Sequence, residues 1–427
     1  MTINLARTPA SLPRCIAGGL IGVSLAGAPS AAAAGSVQTF PPCGFDATTV
    51  IPPDISGLWM ETLFLRDIND HGVAVGSVAI LDNHIPCAWS ADAGFWFIPK
   101  PAGAGTGQAT RINNNGWMVV TWSIGGFMKA HVHKPDGLGG FTIFAIEPQG
   151  AVSWGLGIND HNEVVGFEKL STGSGPPLGE GGFYWSEATG KVQIQPPGWV
   201  SARCHAIGNN GVIVGSVSQS LAMAETSVNL RGFMLNGGEV TIFEPPPPFT
   251  KSEAWAANAT GLVGIHVIAQ GIATAGAIYD IKTGSLDVWS PPPGVKGWGM
   301  RDLNDHGVAA GLMVMHGSPE VFPAIAKDGV VVNPNSLFNG PHLSDELTSI
   351  RNDGTVIGRC VTSGCAMIHK PLGAPGDLDC DGVVGSADLA ALLGLWGSAD
   401  PAADLDGDGV VGGEDLGILL SAWSVKP

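Results

Sequence analysis

Charge is what this sequence has least of. Asp, Glu, Lys and Arg make up 13% of it, about half the usual share. Lys and Arg number 20 in 427 residues against 37 Asp and Glu, a net charge of −17. Nucleic-acid binding needs clustered positive charge, so no such partner is expected. Beyond residue 34 no apolar run is long enough to span a bilayer. Also missing are a Cys-x-x-Cys pair or Cys/His spacing for zinc, a nucleophile elbow, a His-Glu-x-x-His motif and a phosphate-cradling glycine loop. What is present is 44% apolar residues and 63 glycines. That mixture can bury a core, and it suits many short strands joined by tight turns.

Residues 1–34 read as a secretory signal peptide, with Arg7 and Arg14 ahead of an apolar stretch over 16–28 and a small-residue site, SAAAAG, ending at Gly35. The expected location is extracellular, with attachment at a cell surface compatible. Six cysteines follow: Cys43, Cys87, Cys204, Cys360, Cys365 and Cys380. In an oxidising compartment they could pair, and Cys360 and Cys365 flank a short loop across which they could face each other.

One pattern occurs seven times over residues 35–371. INDHGVAVG begins at Ile68, INNNGWMVV at Ile112, INDHNEVVG at Ile158 and IGNNGVIVG at Ile207. ANATGLVG follows at Ala257, LNDHGVAAG at Leu303 and IRNDGTVIG at Ile350. The turn positions Gly72, Gly116, Asn162, Gly211, Gly261, Gly307 and Gly354 are 44 to 50 residues apart. An Asn/Asp/Gly turn followed by alternating Val and Ile is a β-hairpin. Each copy then carries a short strand such as GFYWS at Gly182, and most add a strand ending in proline such as KVQIQPP at Lys191. Four strands per copy of this length predict the blades of a propeller. The last copy lacks its proline-ended strand, and VQTFPP over 37–42 would supply it from the N-terminal side. The expected fold is therefore all-β: a seven-bladed propeller of four-stranded blades closed by the N-terminal strand, the competing arrangement being an open β-solenoid.

On these motifs the repeat region resembles bacterial extracellular HAF-type repeats, in which a GINDxGxVVG hairpin precedes an AFxW strand. That resemblance implies a secreted propeller-like domain and no defined activity.

After a short linker (372–376), residues 377–427 change character. DLDCDGVVGSAD starts at Asp377 and DLDGDGVVGGED at Asp404. Oxygen donors at positions 1, 3, 5 and 12 with glycine at position 6 fit a calcium loop. The first loop offers Asp377, Asp379, Asp381, the Val383 carbonyl and Asp388; the second offers Asp404, Asp406, Asp408, the Val410 carbonyl and Asp415. Two Ca2+ ions are expected. Each loop runs into a Leu-rich helix, with Leu389, Leu392, Leu393 and Trp396 on one face and Leu416, Leu419, Leu420 and Trp423 repeating it. Paired Asp-terminated loops of this kind resemble a type I dockerin. The resemblance implies a small all-α calcium module that docks to a cohesin-like domain, with loop positions 10 and 11, Ser386-Ala387 and Gly413-Glu414, steering partner choice.

The Asp-His pairs of the repeating turns (Asp70-His71, Asp160-His161, Asp305-His306) read as turn residues rather than catalytic ones. The leading expectation is a non-catalytic recognition or structural protein; the alternative is a polysaccharide-degrading enzyme, a glycoside hydrolase or lyase, which would need two converging carboxylates. Five tryptophans near the entries to the hairpins, Trp59, Trp154, Trp199, Trp255 and Trp298, are candidates for a glycan-binding face or for wedges between blades.

Overall fold

The repeating hairpin does not stand alone: its strands become the two innermost strands of a blade. In the computed structural model the described residues are 21–24, 45–50, 61–80, 83–147, 152–171, 177–224, 227, 229–269, 272–317, 320–336, 338–339, 344–360, 365–371, 376–379, 383–400, 403–406 and 410–423. Among them lie seven separate sheets with a four-stranded antiparallel core. Blade 1 runs Glu61–Ile68, Ala74–Ile80, Asn83–Ser90, Gly94–Phe97 from inside to outside. The inner strands of blades 2 to 7 are Ala104–Ile112, Ser153–Ile158, Ser201–Ile207, Lys251–Ala257, Val295–Leu303 and Ser344–Ile350. Consecutive inner strands touch all the way round, that of blade 7 against that of blade 1 included, so the array is a closed ring and not a solenoid.

The N-terminal chain does complete blade 7, but through a different segment from the one expected. Phe45–Val50 pairs antiparallel with Ala366–Pro371, from Phe45 opposite Pro371 to Val50 opposite Ala366. VQTFPP at 37–42 lies outside the described residues. The expectation rested on a strand ending in proline, whereas the seat in the ring demands only a strand to fill a free edge. Two short strands add in parallel: Ile21–Ser24, within the expected signal peptide, against blade 4, and Phe338–Asn339 against Phe45–Val50.

The turn asparagine explains the repeat. In blade 1, Asn69 Oδ1 accepts from the amides of His71 and Val73, at 3.1 and 3.0 Å, and pins its own turn. Its Nδ2 donates to Asn113 O of blade 2 at 3.0 Å. Asn113 reaches Asn159 O, Asn159 reaches Gly208 O, Asn258 reaches Asn304 O and Asn304 reaches Arg351 O, at 2.8 to 3.1 Å. Blade 4 has Gly208 at this position, and Asn210 substitutes by reaching Asn258 O at 3.1 Å. Arg351 closes the circle on Asp70 O. Asn69, Asn113, Asn159, Asn258 and Asn304 are 3 to 5% exposed, so each must find its partners inside the protein. A second, outer circle alternates acid and amide: Asn114 Nδ2 meets Asp70 Oδ2 and Asp160 Oδ2, and Asn209 Nδ2 meets Asp160 Oδ2. The Asp-His turns, read from the sequence only as turn residues, thus serve as joints between blades.

Apolar cores lie between neighbouring blades. Val212, Val214, Met234 and Phe243 of blade 4 pack on Val263, Ile265 and Ala277 of blade 5, for example. Cys87 and Cys204 are free thiols buried in such seams, which corrects the expectation that they could pair; burial raises both thiols above their ordinary range. Cys365 is disulfide-bonded. No helix among the described residues is long and apolar enough to cross a membrane.

The chain ends in two short helices, α1 (Ser386–Gly394) and α2 (Gly413–Ser421). Val384, Leu392, Ala403, Val411 and Leu419 form their shared core, with Leu378, Leu389, Leu405 and Leu416 against it. The apolar stripe is narrower than the sequence suggested. Leu393 and Trp396 are 51% and 49% exposed, and their counterparts Leu420 and Trp423 are 50% and 39% exposed. Leu392 and Leu419 turn into the shared core, Leu393 and Leu420 stand about 100° further round and turn out, and Trp396 and Trp423 lie past the helix ends.

Candidate functional site

Two places bring chemistry together. The first is the pair of acidic loops. Donor oxygens of Asp377, Asp379 and Asp388 all lie within 4.8 Å of one another, and those of Asp404, Asp406 and Asp415 do the same. Both loops share one internal geometry. Asp388 Oδ1 accepts from the amides of Leu378 and Asp379 at 2.6 and 3.1 Å, and its Oδ2 from Gly385 at 2.7 Å. Asp415 Oδ1 accepts from Leu405 and Asp406 at 2.6 and 3.1 Å, and its Oδ2 from Gly412 at 2.6 Å. Desolvation pushes these two carboxyls up, but the amide donors outweigh it and hold both below the usual carboxylate range. Oδ2 of each accepts a single amide and keeps a second lone pair, so the set can still meet a hard divalent cation. Val383 and Val410 stand at the seventh loop position, while Asp381 and Asp408 lie outside the described residues. Ser386, Ala387, Gly413 and Glu414 are all exposed at the starts of the helices, on the outside of the loops.

The second place is the central channel, which the sequence did not reveal. Every inner strand carries a register shift six residues before its turn position: at Arg66, Thr110, Leu156, His205, Trp255, Arg301 and Thr348. A β-bulge bends the strand and re-aims a side chain. All seven bulged residues, with Arg111 and Glu346, line one cavity of about 320 Å³. The bulge also explains the glycine that ends the VVG pattern on the second strand. A Cβ at Gly76 would lie 1.9 Å from Phe64 O, and one at Gly215 would lie 1.9 Å from Arg203 O. In those two blades only glycine fits beside the bulged strand, whereas blade 2 seats Val120 opposite Ala109.

Each bulge takes a carbonyl out of the ladder, and side chains of the preceding blade repair several of these. Thr110 Oγ1 donates to Gly155 O at 2.8 Å and Thr348 Oγ1 to Leu65 O at 3.0 Å. His205 Nδ1 meets Ala254 O at 3.0 Å, and His266 Nε2 meets Met300 O. Burial lowers the pKa of His205 to about 4 and of His266 to about 3, so both are neutral imidazoles near pH 7.

Towards the turns, the channel narrows to a space of about 180 Å³ lined by the asparagine circle. Asp67 and Asp302 converge here. Ser349 Oγ lies 2.8 Å from Asp67 Oδ1 and 2.7 Å from Asp302 Oδ2. Each carboxyl also accepts a backbone amide from the next blade, Ile112 on Asp67 and Ile350 on Asp302, at 2.8 and 3.0 Å. Burial raises the Asp67 carboxyl above the usual range, and Arg111 offsets part of that rise. A hydroxyl donates one proton, so a carboxyl that keeps its own proton completes the bridge.

The five tryptophans do not form one face. Trp298 is 1% exposed, stacked on Trp289 and donating to Trp289 O at 2.7 Å. Trp154 lies half-buried on Phe167, ring centroids 4.7 Å apart, and Trp199 packs half-buried against the seam of blades 3 and 4. Trp255 alone of the described four reaches the channel, and Trp59 lies outside the described residues. The reason is register: these residues sit at different distances from their turn positions, so a common motif neighbourhood did not mean a common face. His131 and His133 are buried, with His133 Nε2 accepting from Trp122 Nε1 at 3.2 Å, a packing role.

The sequence matches no protein-family model and no curated protein. Among solved structures the chain is similar to an oligogalacturonate lyase in complex with manganese, at 10% identity and a TM-score of 0.50 over 76% of this chain and 92% of that one. It is also similar to virginiamycin B lyase from Staphylococcus aureus, at 9% identity and a TM-score of 0.47 over 77% and 99%. A third is puromycin hydrolase, at 14% identity and a TM-score of 0.47 over 73% and 52%. The first of these likenesses speaks for the fold alone.

Proposed function

We propose that the chain is a secreted, non-catalytic recognition protein, its propeller presented to an extracellular ligand such as a polysaccharide and its C-terminal module held by calcium and docked to a cohesin-like partner. The observation that carries this reading is the duplicated acidic geometry, three carboxylates within 4.8 Å in each loop. Like charges so close repel one another, and a divalent ion relieves that repulsion. The exposed Leu393, Trp396, Leu420 and Trp423 beside Ser386-Ala387 and Gly413-Glu414 suit a docking surface that is repeated about the pair of helices.

The enzyme alternative would draw its two acids from Asp67 and Asp302. Both already bond backbone amides of the neighbouring blade, which fits joints better than catalysts.

Calorimetric titration of the full chain with calcium tests the reading. Two ions should bind, Asp377→Asn should abolish one and Asp404→Asn the other, and each loaded loop should add protection of its helix from hydrogen exchange. Chelation should leave the propeller's melting transition in place. A calcium titration without heat, or loss of the propeller on chelation, would sink it.

A further inference from the structure

The bulge positions are where the repeat stops repeating. Turn asparagines and second-strand residues recur from copy to copy, yet the channel ring reads Arg, Thr, Leu, His, Trp, Arg, Thr. Thr110, His205 and Thr348 each meet a backbone carbonyl of the next blade. Arg66 and Trp255 are different. Arg66 uses Nη2 on Gln108 Oε1 at 3.0 Å, but its Nε is buried without a hydrogen-bond partner, and so is Trp255 Nε1. Two buried donors without acceptors are costly in a framework, and here both belong to residues lining one cavity.

The charge there is unbalanced as well. In a chain with 20 basic against 37 acidic residues, the cavity gathers Arg66, Arg111 and Arg301 with Glu346 as the lining acid. Glu346 lies toward Arg301, at 3.9 Å. Asp67 and Asp302, the next acids along the channel, are tied into the joint with Ser349. Burial, then repulsion by Arg111 and Arg301, works against the Arg66 cation. A guanidinium does not shed its proton in response; it calls for an anion. By contrast Arg203 is answered within the protein by a two-pronged pair with Glu180.

We infer that the channel is a binding site for a small organic carboxylate, which Arg66 and Arg301 would hold through its oxygens, with Trp255 Nε1 donating to a further acceptor and Leu156 against the carbon body. Planar guanidinium forks match carboxylates. With Glu346 present, the lining has room for one or two negative charges. The volume of about 320 Å³ is at the low end of ligand pockets, so a molecule the size of a single sugar acid fits and a polymer does not. This site is separate from the calcium module and stands or falls without it.

Calorimetry and thermal shift on the full chain test the site, with glucuronate, succinate and benzoate at millimolar concentration as probes and glucose and inorganic phosphate as controls. At least one carboxylate should bind and raise the melting temperature, while glucose should not bind. Arg66→Gln should weaken that binding about tenfold or more, and Trp255→Phe about fivefold, by loss of one charged and one neutral hydrogen bond. Without ligand, Arg66→Gln should keep or raise the melting temperature, because it removes a buried charge facing like charges. The inference is overturned if none of the three carboxylates binds, or if phosphate or glucose binds as tightly. Unchanged affinity in Arg66→Gln together with a lowered melting temperature would make Arg66 a framework residue instead.

Discussion

The asparagine circle makes a quantitative demand at Asn69. Replacing it with alanine removes one donor and one acceptor that serve three bonds. Asn113 O, on the next blade, loses its buried partner, at about 1–3 kcal/mol for an unsatisfied buried group. The amides of His71 and Val73 lose the Oδ1 acceptor; being partly reached by water, they cost about 0.5 kcal/mol each. The sum is about 3 kcal/mol, or about 4 °C in melting temperature for a domain of this size. Urea titration of the full chain, followed by tryptophan fluorescence, measures it. Asn69→Asp sharpens the test: it keeps the turn acceptor but sets a carboxylate against a carbonyl, so it should cost as much or more. Asn115→Ala, whose bonds are exposed, should cost under about 0.5 kcal/mol. A loss below about 1 kcal/mol at Asn69, or a neutral Asn69→Asp, would refute the circle as a source of stability.

Trp298→Ala should cost about 3–5 kcal/mol, because its ring is sealed between blades 5 and 6; a change under 1 kcal/mol by the same titration would contradict that burial. Four buried histidines, His133, His205, His266 and His369, have pKa values lowered to between about 3 and 4, burial being the first cause of each. Below the ordinary histidine value of about 6.5 the unfolded chain takes up these protons and the folded one does not, so stability should fall as pH drops from about 6.5 toward about 4. Asp67, raised by burial, works the other way over part of that window, as one group against four. A melting temperature unchanged between pH 7 and pH 5 would refute the assignment.

Much of the architecture was readable because the chain repeats itself. A turn of Asn, Asp and Gly before alternating Val and Ile has one economical solution, a hairpin, and seven copies at near-constant spacing must bury their faces on each other. Ring closure was readable too, since blade 7 lacked a strand, although the segment that fills it, Phe45–Val50, was not the one expected. The paired loops were legible for a related reason: ligand positions one, three and twelve are fixed by local backbone geometry, and Asp377, Asp379 and Asp388 do converge.

The channel belongs to the tertiary structure. Arg66 and Trp255 are 189 positions apart in the sequence, and nothing local marks either as facing the axis. A bulge places them there by shifting one residue out of the alternation that sequence reading assumes. One local trace existed: the glycine at Gly76 and Gly215, required where the bulged strand approaches. The tryptophans failed as a group for the same reason, because one step of register decides whether a side chain meets the seam, as Trp298 does, or the channel, as Trp255 does. The sequence alone determined the unit, its number and its paired acidic loops, all written in short-range turn chemistry. Only closing the ring decided which seven residues look at one another across the axis, because that depends on long-range packing of strands whose bulges no local pattern declares.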